Sequence, residues 1–154
     1  MANSSVTLKV KRLHPGAILP VYATAGAACF DLHALFPVDQ SQHWTAAGTS
    51  GTVRTGLAFE VPEGWVMLIY SRSGHGFKNN IRLANSVGVI DSDYRGEVLV
   101  KLSCDQLTES EFSVRHGDRI AQAMLVPVHA VAFEEVEELS ITVRGTNGLG
   151  STGS

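Results

Sequence analysis

Short apolar runs rich in Val, Ile, Leu, Thr and aromatic residues alternate along this chain with glycine and proline marks, from Pro15, Gly16 and Pro20 through Gly56, Pro62 and Gly64 to Gly117 and Pro127. That spacing is the pattern of an all-β sandwich or barrel. It predicts strands over 6–13, 28–33, 53–61, 65–71, 82–90, 98–103 and 119–133. In Cys29-Phe30-Asp31-Leu32-His33 every second side chain must face the opposite side of a sheet. No long stretch keeps a helical period, and a short helix over 73–79, capped by Ser73, is the helical piece expected. Gly117-Asp118 opens the last strand as an ordinary turn with a salt bridge. If the chain is extended there, Ile120 and Gln122 share one face and Arg119 and Ala121 the other.

The 154 residues, 44% hydrophobic and 18% charged, fit one compact domain with a core of its own. A net charge of −3, with the twelve Lys and Arg scattered from Lys9 to Arg144, argues against a DNA or RNA polymer as partner. No apolar run is long enough to span a bilayer, and the N-terminus lacks a basic lead into an apolar stretch, so a cytoplasmic protein away from the membrane is expected. Cys29 and Cys104 lack a paired or metal-binding spacing and read as small buried thiols. The histidines show no ligand spacing; His75 reads as a solvated loop residue. Trp44 and Trp65 read as core or interface packing.

Candidate chemistry lies in five segments. Residues 85–98, NSVGVIDSDYRGEV, crowd Asp91, Asp93, Tyr94 and Arg95 between two apolar runs, an arrangement costly if buried unpaired and unneeded if merely solvated. It reads as the tip of a hairpin holding a small molecule. Arg72, Ser73 and Gly74 follow an apolar strand, where a cation and helix-end amides can meet one anion. Asp31 sits within an apolar strand and calls for a partner. Residues 117–122, GDRIAQ, form the fourth segment. From Arg144 the chain reads RGTNGLGSTGS, which fits either a frayed terminus or an arm whose backbone amides, hydroxyls and guanidinium wrap phosphate oxygens.

In order and spacing these segments resemble the five motifs of the homotrimeric dUTPase family, the likeness running from Gly26 to Ser154, with VGVIDSDYRGEV and GDRIAQ its most specific parts. The resemblance implies a β-clip or jelly-roll-like barrel with at most one short helix. It implies a homotrimer with active sites shared among chains, and Mg2+-assisted hydrolysis of dUTP to dUMP and pyrophosphate. Such an enzyme supplies dUMP for thymidylate synthesis and keeps uracil out of DNA. It also divides the chain into a barrel domain over 1–143 and a flexible arm over 144–154.

By position, Asp91 matches the carboxylate that deprotonates the water attacking the α-phosphorus, a task helped by partial desolvation. Tyr94 matches the ring that packs under the deoxyribose and excludes a 2′-hydroxyl. Asn85, with the backbone of Gly88, Val89 and Ile90 and of Leu99 on the neighbouring strand, matches the uracil-reading hairpin. Arg72, Ser73 and Gly74 match the phosphate-gripping turn, and Gln122 the side chain that orders phosphate or water. Asp31 matches an acid that holds a metal-bound water or an arginine, the Mg2+ being carried by substrate phosphates rather than by direct protein ligands. Arg144, Leu149, Gly150, Ser151 and Thr152 match the closing arm.

The family commonly reads RGxGGFGSTG there, whereas this chain has Asn147 before Gly148 and Leu149 in place of the aromatic ring. Loss of stacking on the base would cost about 1 kcal/mol or more. Retained activity with weaker arm closure is therefore expected. The altered arm also admits a dUTP-sensing regulatory protein on the same fold. The related dCTP deaminases would need a different sequence in place of GVIDSDYRG.

Overall fold

In the computed structural model, residues 6–36, 44–46, 50–105 and 112–148 are described. Their strands are β1 (Lys9–Arg12), β2 (Val21–Tyr22), β3 (Phe30–His33), β4 (Trp44–Ala46), β5 (Ser50–Arg54), β6 (Leu57–Glu60), β7 (Trp65–Tyr70), β8 (Ile81–Leu83), β9 (Gly88–Ile90), β10 (Leu99–Cys104), β11 (Phe112–Val114) and β12 (Arg119–Pro127). One short helix, α1 (Ser73–Asn79), lies between β7 and β8. The all-β expectation with a single helical piece holds. Among the described residues the strands form four separate antiparallel sheets, ordered β2-β3-β12-β7-β9, β5-β10-β8, β1-β6 and β11-β4, rather than one closed ring. None of these residues forms a helix long and apolar enough to cross a membrane.

The inward faces meet in one core, where Leu32, Leu57, Phe59, Met67, Ile81, Leu83, Leu102 and Ile120 are fully buried. Each such side chain contributes on the order of 1.5–3 kcal/mol through removal from water. Trp65 packs on this core from its edge. Cys104 is buried as expected, but Cys29 is only half-buried.

Two predicted strands are each divided, because one continuous strand cannot serve two sheets. The first breaks at Thr55-Gly56, between β5 and β6. Gly56 adopts φ +67°, and a Cβ there would lie 2.6 Å from Leu35 Cδ2, so only glycine fits both the angle and the space. The Thr55 hydroxyl donates to the Val98 carbonyl (2.7 Å) and accepts from Leu57 N–H (3.2 Å). The second breaks between β8 and β9, where Ser86 takes φ +64°. β12 ends at Pro127 instead of reaching 133, since proline brings no N–H to continue the ladder. Beyond it, residues 128–148 are exposed and carry neither strand nor helix, with Val131, Phe133, Leu139, Ile141 and Val143 each at least 69% exposed.

α1 occupies the expected span, but Ser73 is its first helical residue and not its cap. The N-cap position belongs to Arg72, which makes no side-chain capping bond. Asn80 closes the helix in the left-handed conformation, which asparagine tolerates.

The expected faces of the last strand are also corrected. Arg119 pairs with His33 and Ala121 with Leu32, leaving Ile120 as a bulge. Ile120 and Ala121 are both buried as a result, and Arg119 is turned onto the face that carries Asp31 and Gln122.

Candidate functional site

Asp31 on β3 is 7% exposed among apolar neighbours, and an ionised group so placed needs partners. Its Oδ1 accepts from Arg72 Nε at 2.9 Å and its Oδ2 from Arg119 Nη1 at 3.2 Å. Arg72 comes from the β7–α1 turn, and the bulge delivers Arg119, so two cations meet on one acid. The salt bridge expected at the Gly117 turn is thus made to Asp31 from across the sheet, while Asp118 accepts from Arg115 N–H (2.7 Å).

Gln122 lies directly across β3 from Asp31 and across β7 from Tyr70. Its Nε2 donates to the Ser71 carbonyl at 3.0 Å, and the Ser71 hydroxyl accepts from Leu83 N–H at 2.8 Å. His75 corrects its expected role as a solvated loop residue. It is half-buried on α1, and its Nε2–H donates to the Arg119 carbonyl at 2.6 Å. Arg119 is thereby held by backbone and side chain together. Ser73 and Gly74 are exposed beside Arg72. A Cβ on Gly74 would meet nothing within 4 Å, so that glycine answers no internal packing demand and leaves the backbone open to an approaching anion.

His33 shares the Asp31 face. Its Nδ1 is buried without a hydrogen-bond partner. Burial pulls its pKa below the ordinary 6.5, opposed by Asp31 and assisted by Arg119 and Arg72. The unfolded chain therefore takes up this proton first. The stability owed to neutral His33 is complete above 6.5 and is lost as the pH falls from 6.5 through the folded value. A His33→Gln variant should show a shallower fall in Tm than the unaltered chain between about pH 7 and pH 5.5, read by thermal melts. Parallel curves would contradict the shift.

A second site feature lies elsewhere. Val89, Ile90, Asp91, Tyr94, Glu97, Val98 and Leu99 line an open cleft of about 260 Å³. That is smaller than the pockets that enclose a drug-sized ligand. β9 is an edge strand, and Leu99 pairs with Arg54 of β5. The outer N–H and C=O groups of β9 thus lie on the cleft side, paired with no strand among the described residues. The expected hairpin is corrected here, because β9 and β10 belong to different sheets and flank the cleft without pairing.

Asp91 is exposed at the lip, without a side-chain bond or ion pair among the described residues. Its desolvation must come from whatever covers the cleft. The Tyr94 ring lies against Gly96, where a Cβ would sit 2.5 Å from its hydroxyl oxygen, and that hydroxyl donates to the Glu97 carbonyl at 2.9 Å. Asn85 does not line the cleft. It is exposed in the β8–β9 turn, its Nδ2 donating to the Val87 carbonyl at 3.3 Å.

One chain does not bring the two groups together. Ile90 pairs with Met67, while Gln122 pairs with Tyr70. Asp91 therefore lies four residue rows from Gln122 along the sheet, about 13 Å at strand rise. Arg144 joins neither group; it folds on its own turn, Nε donating to the Asn147 carbonyl at 3.1 Å and Nη2 to that of Gly148 at 3.4 Å. Leu149, Gly150, Ser151 and Thr152 lie outside the described residues. Sequence reasoning missed the clamping roles of Arg119 and His75. For Arg119 a signal existed, since a buried acid implies a cation and GDRIAQ supplies one.

The dUTPase family model matches residues 16–153 of this chain. The deoxyuridine 5'-triphosphate nucleotidohydrolase of Nautilia profundicola is 44% identical over 146 residues, covering 95% of this chain and 98% of that one. That of Helicobacter hepaticus is 42% identical, covering 95% and 88%. Among solved structures, the Staphylococcus bacteriophage 80alpha dUTPase with dUPNHPP superposes with a TM-score of 0.80 at 25% identity, covering 97% of this chain and all of that one. The chain belongs to the dUTPase family.

Proposed function

We propose that this protein hydrolyses dUTP to dUMP and pyrophosphate in the cytoplasm, as a homotrimer in which the cleft of one chain faces the arginine cluster of another. The observation that carries the reading is the cleft itself, which sets Asp91 beside Tyr94 and the open edge of β9 in a chain of this family. Uracil lies against the backbone of Gly88, Val89 and Ile90 and against Leu99, with Asn85 shaping the turn that leads into β9. The Tyr94 ring lies under the deoxyribose and leaves no volume for a 2′-hydroxyl. Asp91 takes a proton from a water whose oxygen bonds to the α-phosphorus as the bond to the β-phosphate's bridging oxygen breaks and pyrophosphate leaves.

Arg72, with Ser73, Gly74 and Gln122, holds the phosphates, and Asp31 aims Arg72 and Arg119 at them. The arm residues Arg144, Leu149, Gly150, Ser151 and Thr152 close over the ligand. Among the described residues there is no cluster of three or more His, Cys, Asp or Glu able to hold a metal, and both Asp31 oxygens already accept from guanidinium groups. This donor set fits Mg2+ carried on the triphosphate and its waters. When bound, the ion neutralises phosphate charge.

Two features support assembly from several chains: the separation of cleft and cluster, and the large apolar side chains Val131, Phe133, Leu139, Ile141 and Val143, exposed among acidic residues where a neighbouring chain would cover them. The function is tested by pyrophosphate release from dUTP, dCTP, dTTP and UTP. Rapid turnover of dUTP alone is expected. Tight dUTP binding without turnover would reject the hydrolase in favour of a dUTP-sensing protein.

A further inference from the structure

Tyr94 is 43% exposed, so packing does not fix its ring. The ring is placed by the turn beneath it, through its bond to the Glu97 carbonyl and its contact with Gly96. That turn is in turn fastened by Glu97, which also helps to line the cleft. Glu97 Oε1 accepts from Gly56 N–H at 2.8 Å and from Arg54 Nε at 3.1 Å, and its Oε2 accepts from Arg54 Nη2 at 2.9 Å. Val98 N–H donates to the Leu57 carbonyl at 2.9 Å, and the Thr55 hydroxyl donates to the Val98 carbonyl. The anchor is stiff, because Gly56 is wedged in a left-handed conformation against Leu35 and Ala17. Glu97 is 17% exposed in its side chain, so its carboxylate is largely shielded where it makes these bonds.

From this geometry we infer that Glu97 and Arg54 are positioning residues for sugar selection, holding the Tyr94 ring at the height that separates deoxyribonucleotides from ribonucleotides. The inference rests on the proposed dUTP hydrolysis and extends it. Rejection of a hydroxyl by volume is only as strong as the wall is immobile, since a ring that gives by a fraction of an ångström admits the extra oxygen. A binding hydrogen bond lost by the wrong substrate would not need such stiffness. Here the wall is a half-exposed ring on a short turn, and the Arg54–Glu97–Gly56 clasp is what stiffens it.

The test measures kcat/KM for dUTP and for UTP in the unaltered protein and in Glu97→Ala, Glu97→Gln and Arg54→Gln, with Tm recorded for each. Glu97→Ala should lower the dUTP:UTP ratio by about tenfold, through a lower KM for UTP. Glu97→Gln, which keeps an acceptor for Gly56 N–H, should recover much of the ratio. Arg54→Gln, a change at a half-exposed side chain, should lower it less than Glu97→Ala and serves if that variant does not fold. A ratio unchanged in folded variants, with Tm lowered, would reduce the clasp to a structural role and overturn the inference. An unaltered protein that turns over no dUTP would instead overturn the functional reading beneath it.

Discussion

Replacing Asp91 by Asn lowers kcat for dUTP by about 10²- to 10⁴-fold while dUTP still binds, the range over which a positioned base accelerates proton transfer. Asparagine keeps the volume and the polar contacts of the side chain but cannot accept the water's proton. Asp91 directly follows β9 and has no side-chain bond or ion pair among the described residues, so the substitution breaks nothing internal. Single-turnover kinetics together with equilibrium dUTP binding separate the two quantities. Turnover near that of the unaltered protein would remove Asp91 from the chemistry.

Replacing Asp31 by Asn acts in the opposite way, on structure first and binding second. The carboxylate pairs with two guanidinium groups at once, and its side chain is 9% exposed against 23% for Arg72 and 48% for Arg119. The half-exposed Arg119 contributes little through solvent screening, and the less exposed Arg72 pair carries most of the effect. Loss of the charge should lower unfolding stability by about 2–3 kcal/mol, with unchanged m-value in urea at fixed protein concentration. It should also raise KM for dUTP several-fold, because neither arginine is then aimed. A stable variant with unaltered KM would show that Asp31 orders nothing.

What could be read from the sequence follows from how local each feature is. The cores of the longer strands and the span of α1 were legible, since apolar runs and breakers act over a few residues. β2, of two residues, and β4 and β11, of three each, were not: β2 is too short to show alternation although it pairs with nearby β3, and β4 and β11 pair with each other from distant parts of the chain. The turn before β9 was hidden because Ser86 takes its positive φ without a glycine or proline to mark it. At the site, Asp31 announced a need for a cation. Its partners lie 41 and 88 residues away, and only the bulge at Ile120 decides that Arg119 faces it. The Glu97 clasp was invisible for the same reason, as Arg54 lies 43 residues away in another strand.

The division of labour between chains is tested most directly by mixing two inactive variants. Asp91→Asn disables the cleft of its chain, and Arg72→Gln disables the phosphate cluster of its chain. Each alone should be nearly inactive. After joint unfolding and reassembly in equal amounts, sites that draw an intact cleft from one chain and an intact cluster from another should restore about a quarter of full activity, as random pairing in a closed ring gives. A mixture as inactive as its components, or a fully active monomer in sedimentation, would contradict the shared site.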